Sequence, residues 1–373
     1  MLAIANSGVK LILMPPFATM ASIYITHKNN TTHHAEDADM RLLLVALSVF
    51  ALLAPIPQAQ AEYLIKFSHV VAPATPKGKA ADLFAKLVNE RMKGKVRVEV
   101  FPNSQLYNDN KVLEAMRLST SKTTGLLAAP SLSKFVKFST KLQAFDLPYL
   151  FNDMDDVHKL VDSPLMDKMT EGLGKKGLKA LTVWDNGMKV FSINGDKPLR
   201  HVPADFDGKK FRIQSSNVAE SMIEALGGTP QKLPFKEVYT ALAQGVVDGQ
   251  ENAWSNIYSK KFYEVQSYIS VSNHSYLGYL LVVSKDFWNN LPKDIRSELT
   301  AILKEATAAN RRYAAEDDKA DRLKIEQDKY AKVVELTPQE RAAWKKACQP
   351  VWKQFRGVIG GKLLDEITAL LKK

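Results

Sequence analysis

Two hydrophobic rhythms alternate along the chain. Tyr63 to His69 reads as a strand, and Thr75-Pro76 behind it reads as an N-cap with proline in the first helical turn. Leu83, Phe84, Leu87 and Val88 then recur at helical spacing, and Val96, Val98 and Val100 alternate with Arg97 and Glu99 as in a half-buried strand. The chain therefore opens β-α-β. The pattern predicts a helix over Asp109 to Leu118, an apolar strand Leu126 to Ala128, helices around Asp156 to Val161 and Pro164 to Lys175, and a strand Lys179 to Trp184. A second run follows, with strand Lys210 to Ile213, helix Asn217 to Leu226 closed by Gly227-Gly228, and helix Lys236 to Gln244 ended by Gly245. Such alternation predicts an α/β fold, with helices on the faces of its sheets and a cleft between two lobes.

From Lys293 to Thr337 neither Gly nor Pro occurs, and Ile295, Leu299, Ile302, Leu303 and Ala306 keep helical spacing. A helix of about 35 residues is roughly 50 Å long, more than one lobe is wide, so it is expected to span both. Its apolar stripe fades into charge beyond Tyr313, which disfavours a coiled coil.

The N-terminus breaks this rhythm. Met40-Arg41 leads into the apolar run Leu42 to Leu53, then Pro55 and Ala59-Gln60-Ala61, the arrangement of a secretory signal peptide cleaved after Ala61. Residues 1–39 stand upstream, where a signal does not belong, and are expected to be an over-called start outside the fold. His33, His34, Glu36, Asp37 and Asp39 in that stretch are set aside as a metal site, because ligands must be held at fixed geometry.

The 373 residues, 46% hydrophobic and 24% charged, suit a soluble protein of two lobes. Lys and Arg outnumber Asp and Glu by 51 to 40, a net charge of +11 that the presumed mature chain, Glu62 to Lys373, retains. Both signs are interleaved, as in Asp317 to Lys332, so the excess points to small anionic solutes rather than nucleic acid. The single Cys348 has no partner for an intramolecular disulfide and is expected to be a buried thiol.

No Gly-x-Ser-x-Gly elbow, His-Glu-x-x-His pair or phosphate-cradling glycine loop occurs, and Gly172, Gly174 and Gly177 do not follow a strand. No catalytic residue, cofactor or metal is expected. His158 and His201 sit among charged and loop residues, where solvation is expected. Phe211-Arg212-Ile213 places one cation in a strand just before Gln214-Ser215-Ser216 at a helix start, which suits a carboxylate. From pattern alone Arg212 fits an exposed strand face equally well, and the serines fit plain N-caps. Asp185 to Lys189 and Asp248 to Asn252 read as turns at strand ends.

Three strings make the chain resemble the solute receptors of TRAP transporters. They are Ile65 to Val71, Pro102-Asn103-Ser104-Gln105-Leu106, and Phe235 to Tyr239 running on to Gly245-Val246-Val247-Asp248-Gly249-Gln250-Glu251-Asn252. Leu147 to Phe151, Lys261 to Gln266 and Ser272-Asn273-His274 follow in the same order. Within that family, Ala129-Pro130-Ser131-Leu132-Ser133-Lys134-Phe135, Trp184 to Gly187 and the tail from Leu336-Thr337-Pro338 to Gln349-Pro350-Val351-Trp352 resemble the DctP branch of C4-dicarboxylate receptors.

The resemblance implies two α/β lobes joined by crossing strands and one long helix, hinged like a clamp. Residues 62–186 with about 278–317 are expected in lobe I, and 187–277 with about 318–373 in lobe II. It also implies site roles. The carboxylate-gripping arginine falls on Arg212, its asparagine partner on Asn252 and the aromatic wall on Phe235. A further basic position falls on Lys189, an ammonium where the acid-sugar branch has arginine. His69, Ser131 and Ser215 match positions that line the family's cleft. The implied protein is a periplasmic receptor, expected to be a monomer, handing a small organic acid such as succinate, malate or fumarate to TRAP permease subunits in the membrane. Its rivals are the same receptor for a 2-oxo, aromatic or sugar acid, a receptor feeding a sensor kinase, and a secreted enzyme on an acidic substrate.

Overall fold

The computed structural model describes residues 62–372. The expected signal peptide, its cleavage after Ala61 and the upstream stretch lie outside the described residues. Within them, eleven strands form two sheets. The first contains β1 (Tyr63–Ser68), β2 (Val96–Phe101), β3 (Thr124–Ala128), β4 (Leu178–Met188) and β10 (Tyr276–Ser284), in the order β2-β1-β3-β10-β4. The second contains β5 (Val190–Ile193), β6 (Lys210–Ile213), β7 (Thr229–Lys232), β8 (Gly249–Asn252), β9 (Tyr268–Val271) and β11 (Lys332–Glu335), in the order β11-β9-β5-β8-β6-β7. Each sheet is the centre of one lobe.

Local chemistry explains the elements that the pattern predicts. Thr75 Oγ1 accepts from the Gly78 N–H at 3.3 Å, and Pro76 opens the helix Pro76–Arg91. The helix Asp109–Leu118 and strand β6 have the expected bounds. Two segments that read as turns are instead strand. Asp185 to Met188 belongs to β4, and Gly249 to Asn252 is β8. Their polar residues mimic turn composition, but in the interior they meet long-range partners: Asp185 meets Tyr276 and His158, Asn186 meets Ser255, and Gln250 meets Ser192.

Two crossings join the sheets. The chain leaves β4 through Lys189 into β5, and returns from β9 through residues 272–275 into β10. The crossings are tied together: the Lys189 N–H donates to the Ser275 carbonyl at 2.8 Å, and the His274 N–H to the Lys189 carbonyl at 3.3 Å. Gly187 has φ of +142°, and a Cβ there would meet Asp318 Oδ1 at 2.7 Å, so this crossing requires glycine.

The third connection is the helix Lys293–Asp328, 36 residues and roughly 54 Å long. Ile295, Leu299, Ile302, Leu303 and Ala306 sit in the core that covers the first sheet, while Ile325 sits in a core of the second. It packs on both Pro76–Arg91 and the second-lobe helix Trp254–Ser259. Polar clamps fix it to the crossing strand: Trp184 Nε1 donates to Thr307 Oγ1 at 2.9 Å, and Asn310 Oδ1 accepts from the Asp185 N–H at 2.6 Å. His158, expected in solvent, is half-buried with Nε2 2.6 Å from Asp185 Oδ2, whereas His201 is exposed. Cys348 is buried, and burial pushes its thiol up to about 12, so it is inert.

Candidate functional site

Strand β6 puts Phe211 and Ile213 into the core and carries Arg212 in with them, at 1% exposure. The guanidinium is held from one side. Its Nε and Nη2 both donate to the Leu233 carbonyl, at 3.1 and 2.9 Å. Its Nη1 is buried and has no partner among the described residues. Burial pulls the group down to about 10, against the charges of Glu251 and Asp109, so it remains a cation at neutral pH.

Arg212 borders a cleft of about 540 Å³, part of it open to solvent. Asn252 and Phe235 border it from the same lobe, and Ser131, Lys134 and Tyr279 from the other. Asn252 Oδ1 accepts from Asn256 Nδ2 at 2.8 Å, which orients both amides, and Asn256 keeps Oδ1 unpaired. Phe235 meets Phe262 edge-on with centroids 5.9 Å apart, so its ring is fixed. Ser131 bridges to Tyr279 of β10 and has a buried hydroxyl with no partner among the described residues.

Three other nominated residues stand differently. Ser215 lies beside the cleft and accepts from Lys134 Nζ at 3.1 Å. His69 is 1% exposed and precedes the cleft residues Val70 and Val71. Burial and the charge of Lys77 hold its imidazole down to about 3, so it is neutral.

Lys189 is a correction. It does not border the cleft; at 1% exposure its ammonium lies 2.7 Å from Glu251 Oε2 and 4.0 Å from Asp146 Oδ1. The reason is topological: β5 and β8 are neighbours, so the crossing residue beside Val190 meets the carboxylate next to Asn252. A buried ammonium needs such a partner, and Glu251 takes the charge a ligand would need.

The pattern reading passed over Lys134, Asn256 and Tyr279. Lys134 was visible only as part of a string, and Tyr279 lies in a wholly buried strand. Asn256 carried only a weak signal, a second asparagine four residues after Asn252, in the helix Trp254–Ser259 that follows β8. Behind Tyr279, Lys77 donates to the Ala129 carbonyl at 2.9 Å with its ammonium 3.5 Å over the phenol ring.

A buried arginine with one free edge in a two-lobed cleft is an arrangement for gripping an anion. Residues 67–357 match the family of bacterial extracellular solute-binding proteins, family 7, known as DctP. The chain belongs to this family. Its members are receptors rather than enzymes. The C4-dicarboxylate-binding periplasmic protein DctP of Shewanella loihica is 47% identical over 305 residues, which cover 82% of this chain and 89% of that protein. A TRAP periplasmic solute-binding protein of Shewanella oneidensis, solved with bound succinate, is 43% identical with a TM-score of 0.79, covering 83% of this chain and 99% of the other. Another from Pseudomonas aeruginosa, solved with bound L-malate, is 39% identical with a TM-score of 0.74, covering 78% and 99%.

Proposed function

We propose that this chain is the periplasmic receptor of a TRAP transporter, binding a C4-dicarboxylate and presenting it to the membrane permease. The observation that carries this reading is the buried Arg212, whose Nη1 is uncommitted at the cleft while Nε and Nη2 are fixed on Leu233. Arg212 grips one carboxylate, Asn252 and Asn256 supply neutral donors and acceptors, and Phe235 forms a wall. Hydrogen bonds to charged groups contribute about 1.5–3 kcal/mol each, so three or four support micromolar affinity after ordering costs. Closure of the lobes about the two crossings then distinguishes the loaded receptor from the empty one. The relatives that bind succinate and malate support this choice of solute.

A thermal-shift screen tests it. Succinate, malate and fumarate at 100 times their dissociation constants add about 2.7 kcal/mol and raise the melting temperature by about 4 °C. Neutral sugars and amines leave it unchanged. If only 2-oxo, aromatic or sugar acids stabilise the protein, the receptor role survives and the C4-dicarboxylate assignment does not. Export carries its own expectation, drawn from Ala59-Gln60-Ala61: the periplasmic protein begins at Glu62. Intact-mass measurement of the exported chain checks this, and a mass that includes residues 1–39 refutes it.

A further inference from the structure

A diacid held by Arg212 at one end leaves its far carboxylate in a closing cleft, where an unpaired charge keeps its full desolvation cost. The lysines around the cleft differ in what their ammonium groups already hold. Lys189 is committed to Glu251. Lys77 does not border the cleft, because Tyr279, whose ring it covers, stands there instead. Lys236 borders it but is exposed, so water competes for its charge. Lys134 borders it, is half-buried, and among the described residues its ammonium donates only to a neutral hydroxyl, Ser215 Oγ at 3.1 Å.

That hydrogen bond joins the lobes. Lys134 lies in the turn Leu132–Phe135, which follows β3 of the first sheet, while Ser215 follows β6 of the second. Asp109 and Asp146 act on Lys134 at longer range, and neither lies within ion-pair distance of it. An ammonium has three donors, so a ligand carboxylate can join or displace the hydroxyl.

We infer that Lys134 is the second anion-gripping cation, meeting the far carboxylate of a diacid whose near carboxylate lies on Arg212. The inference rests on the C4-dicarboxylate reading above. It gives diacid preference a mechanical basis. Arg212 and Lys134 belong to opposite lobes, so a diacid ties the lobes together with a charge at each end, and a monoacid engages only the Arg212 side.

Calorimetry with succinate and succinamate, in which one carboxylate is replaced by an amide, forms a cycle with side-chain truncation. Lys134→Met is expected to weaken succinate by about 10- to 100-fold and succinamate by less than about threefold. Lys134→Gln, which keeps a polar side chain, gives the same split if Lys134→Met folds poorly. Equal losses of both ligands in Lys134→Met and Lys134→Gln overturn the inference and mark Lys134 as a clasp between the lobes. Those results leave the dicarboxylate reading standing. Failure of the unmodified protein to bind succinate, malate and fumarate overturns that reading and this inference with it.

Discussion

Arg212→Lys is expected to weaken binding of every carboxylate ligand, mono- or diacid, by about 2–5 kcal/mol, or roughly 30- to 5,000-fold in dissociation constant. The substitution keeps the positive charge, so the loss isolates geometry. Arg212 spends Nε and Nη2 on the Leu233 carbonyl and still presents Nη1 in a fixed plane at the cleft. A lysine offers one point charge at the end of a flexible stem, and anchoring it on Leu233 removes it from the ligand. Calorimetry with succinate and succinamate measures the effect, and the melting temperature of the unliganded variant reports the fold. Retention of affinity within about tenfold for both ligands would show that the guanidinium fork does not hold the carboxylate.

The second large effect is on stability. Lys189→Met leaves Glu251, at 0% exposure, without its 2.7 Å partner, and is expected to cost about 3–5 kcal/mol in urea unfolding. The ratio of succinate to succinamate affinity should stay unchanged. Adding Glu251→Gln recovers most of the loss, because no buried charge is then left unpaired.

The pH dependence of the two proteins separates them. Burial pushes the Glu251 carboxyl up, but the charge of Lys189, with His274 3.5 Å away, overcomes it and holds the group at about 2, below its ordinary 4.5. A depressed carboxyl stabilises the fold fully above its unfolded value. That contribution is lost as pH falls from about 4.5 through about 2. In Lys189→Met the largest opposing charge is gone and only His274 and Arg212 still act against burial, so the carboxyl rises; where folding then takes up a proton, stability increases as pH falls from 7 towards 5. Between pH 7 and 5 the Glu251 contribution to the urea midpoint is therefore expected to stay flat in the unmodified protein and to rise on acidification in the variant. A variant that loses stability on acidification excludes an uncompensated Glu251.

Local pattern carried a good part of the architecture. Helical spacing in the stretch after Lys293 fixed a helix long enough to enter both cores, and Thr75-Pro76 marked a helix start by its own hydrogen-bonding chemistry. Phe211-Arg212-Ile213 also stood out in sequence, but a cation between two core residues points to the opposite face of its strand, and only the fold shows that this face is buried as well. Strands of the second sheet were harder to read. Gln250 and Glu251 look like turn residues, yet both are 0% exposed, since Gln250 Nε2 donates to Ser192 Oγ at 2.9 Å and Glu251 meets Lys189.

The sequence by itself determined the family, the α/β alternation, the bridging helix and the strand that carries Arg212, all of which depend on residues close along the chain. Tertiary structure alone decided which lysine has charge to offer a ligand. Lys189 and Lys134 are alike in sequence terms, each a cation beside a strand, and they differ only in the partner that the fold brings to them. Sheet order sets β8 beside β5 and gives Lys189 a carboxylate, whereas the approach of the two lobes gives Lys134 a neutral hydroxyl. Charge compensation belongs to pairs of groups distant in the chain, so the free cation emerges only when both members of each pair are in place.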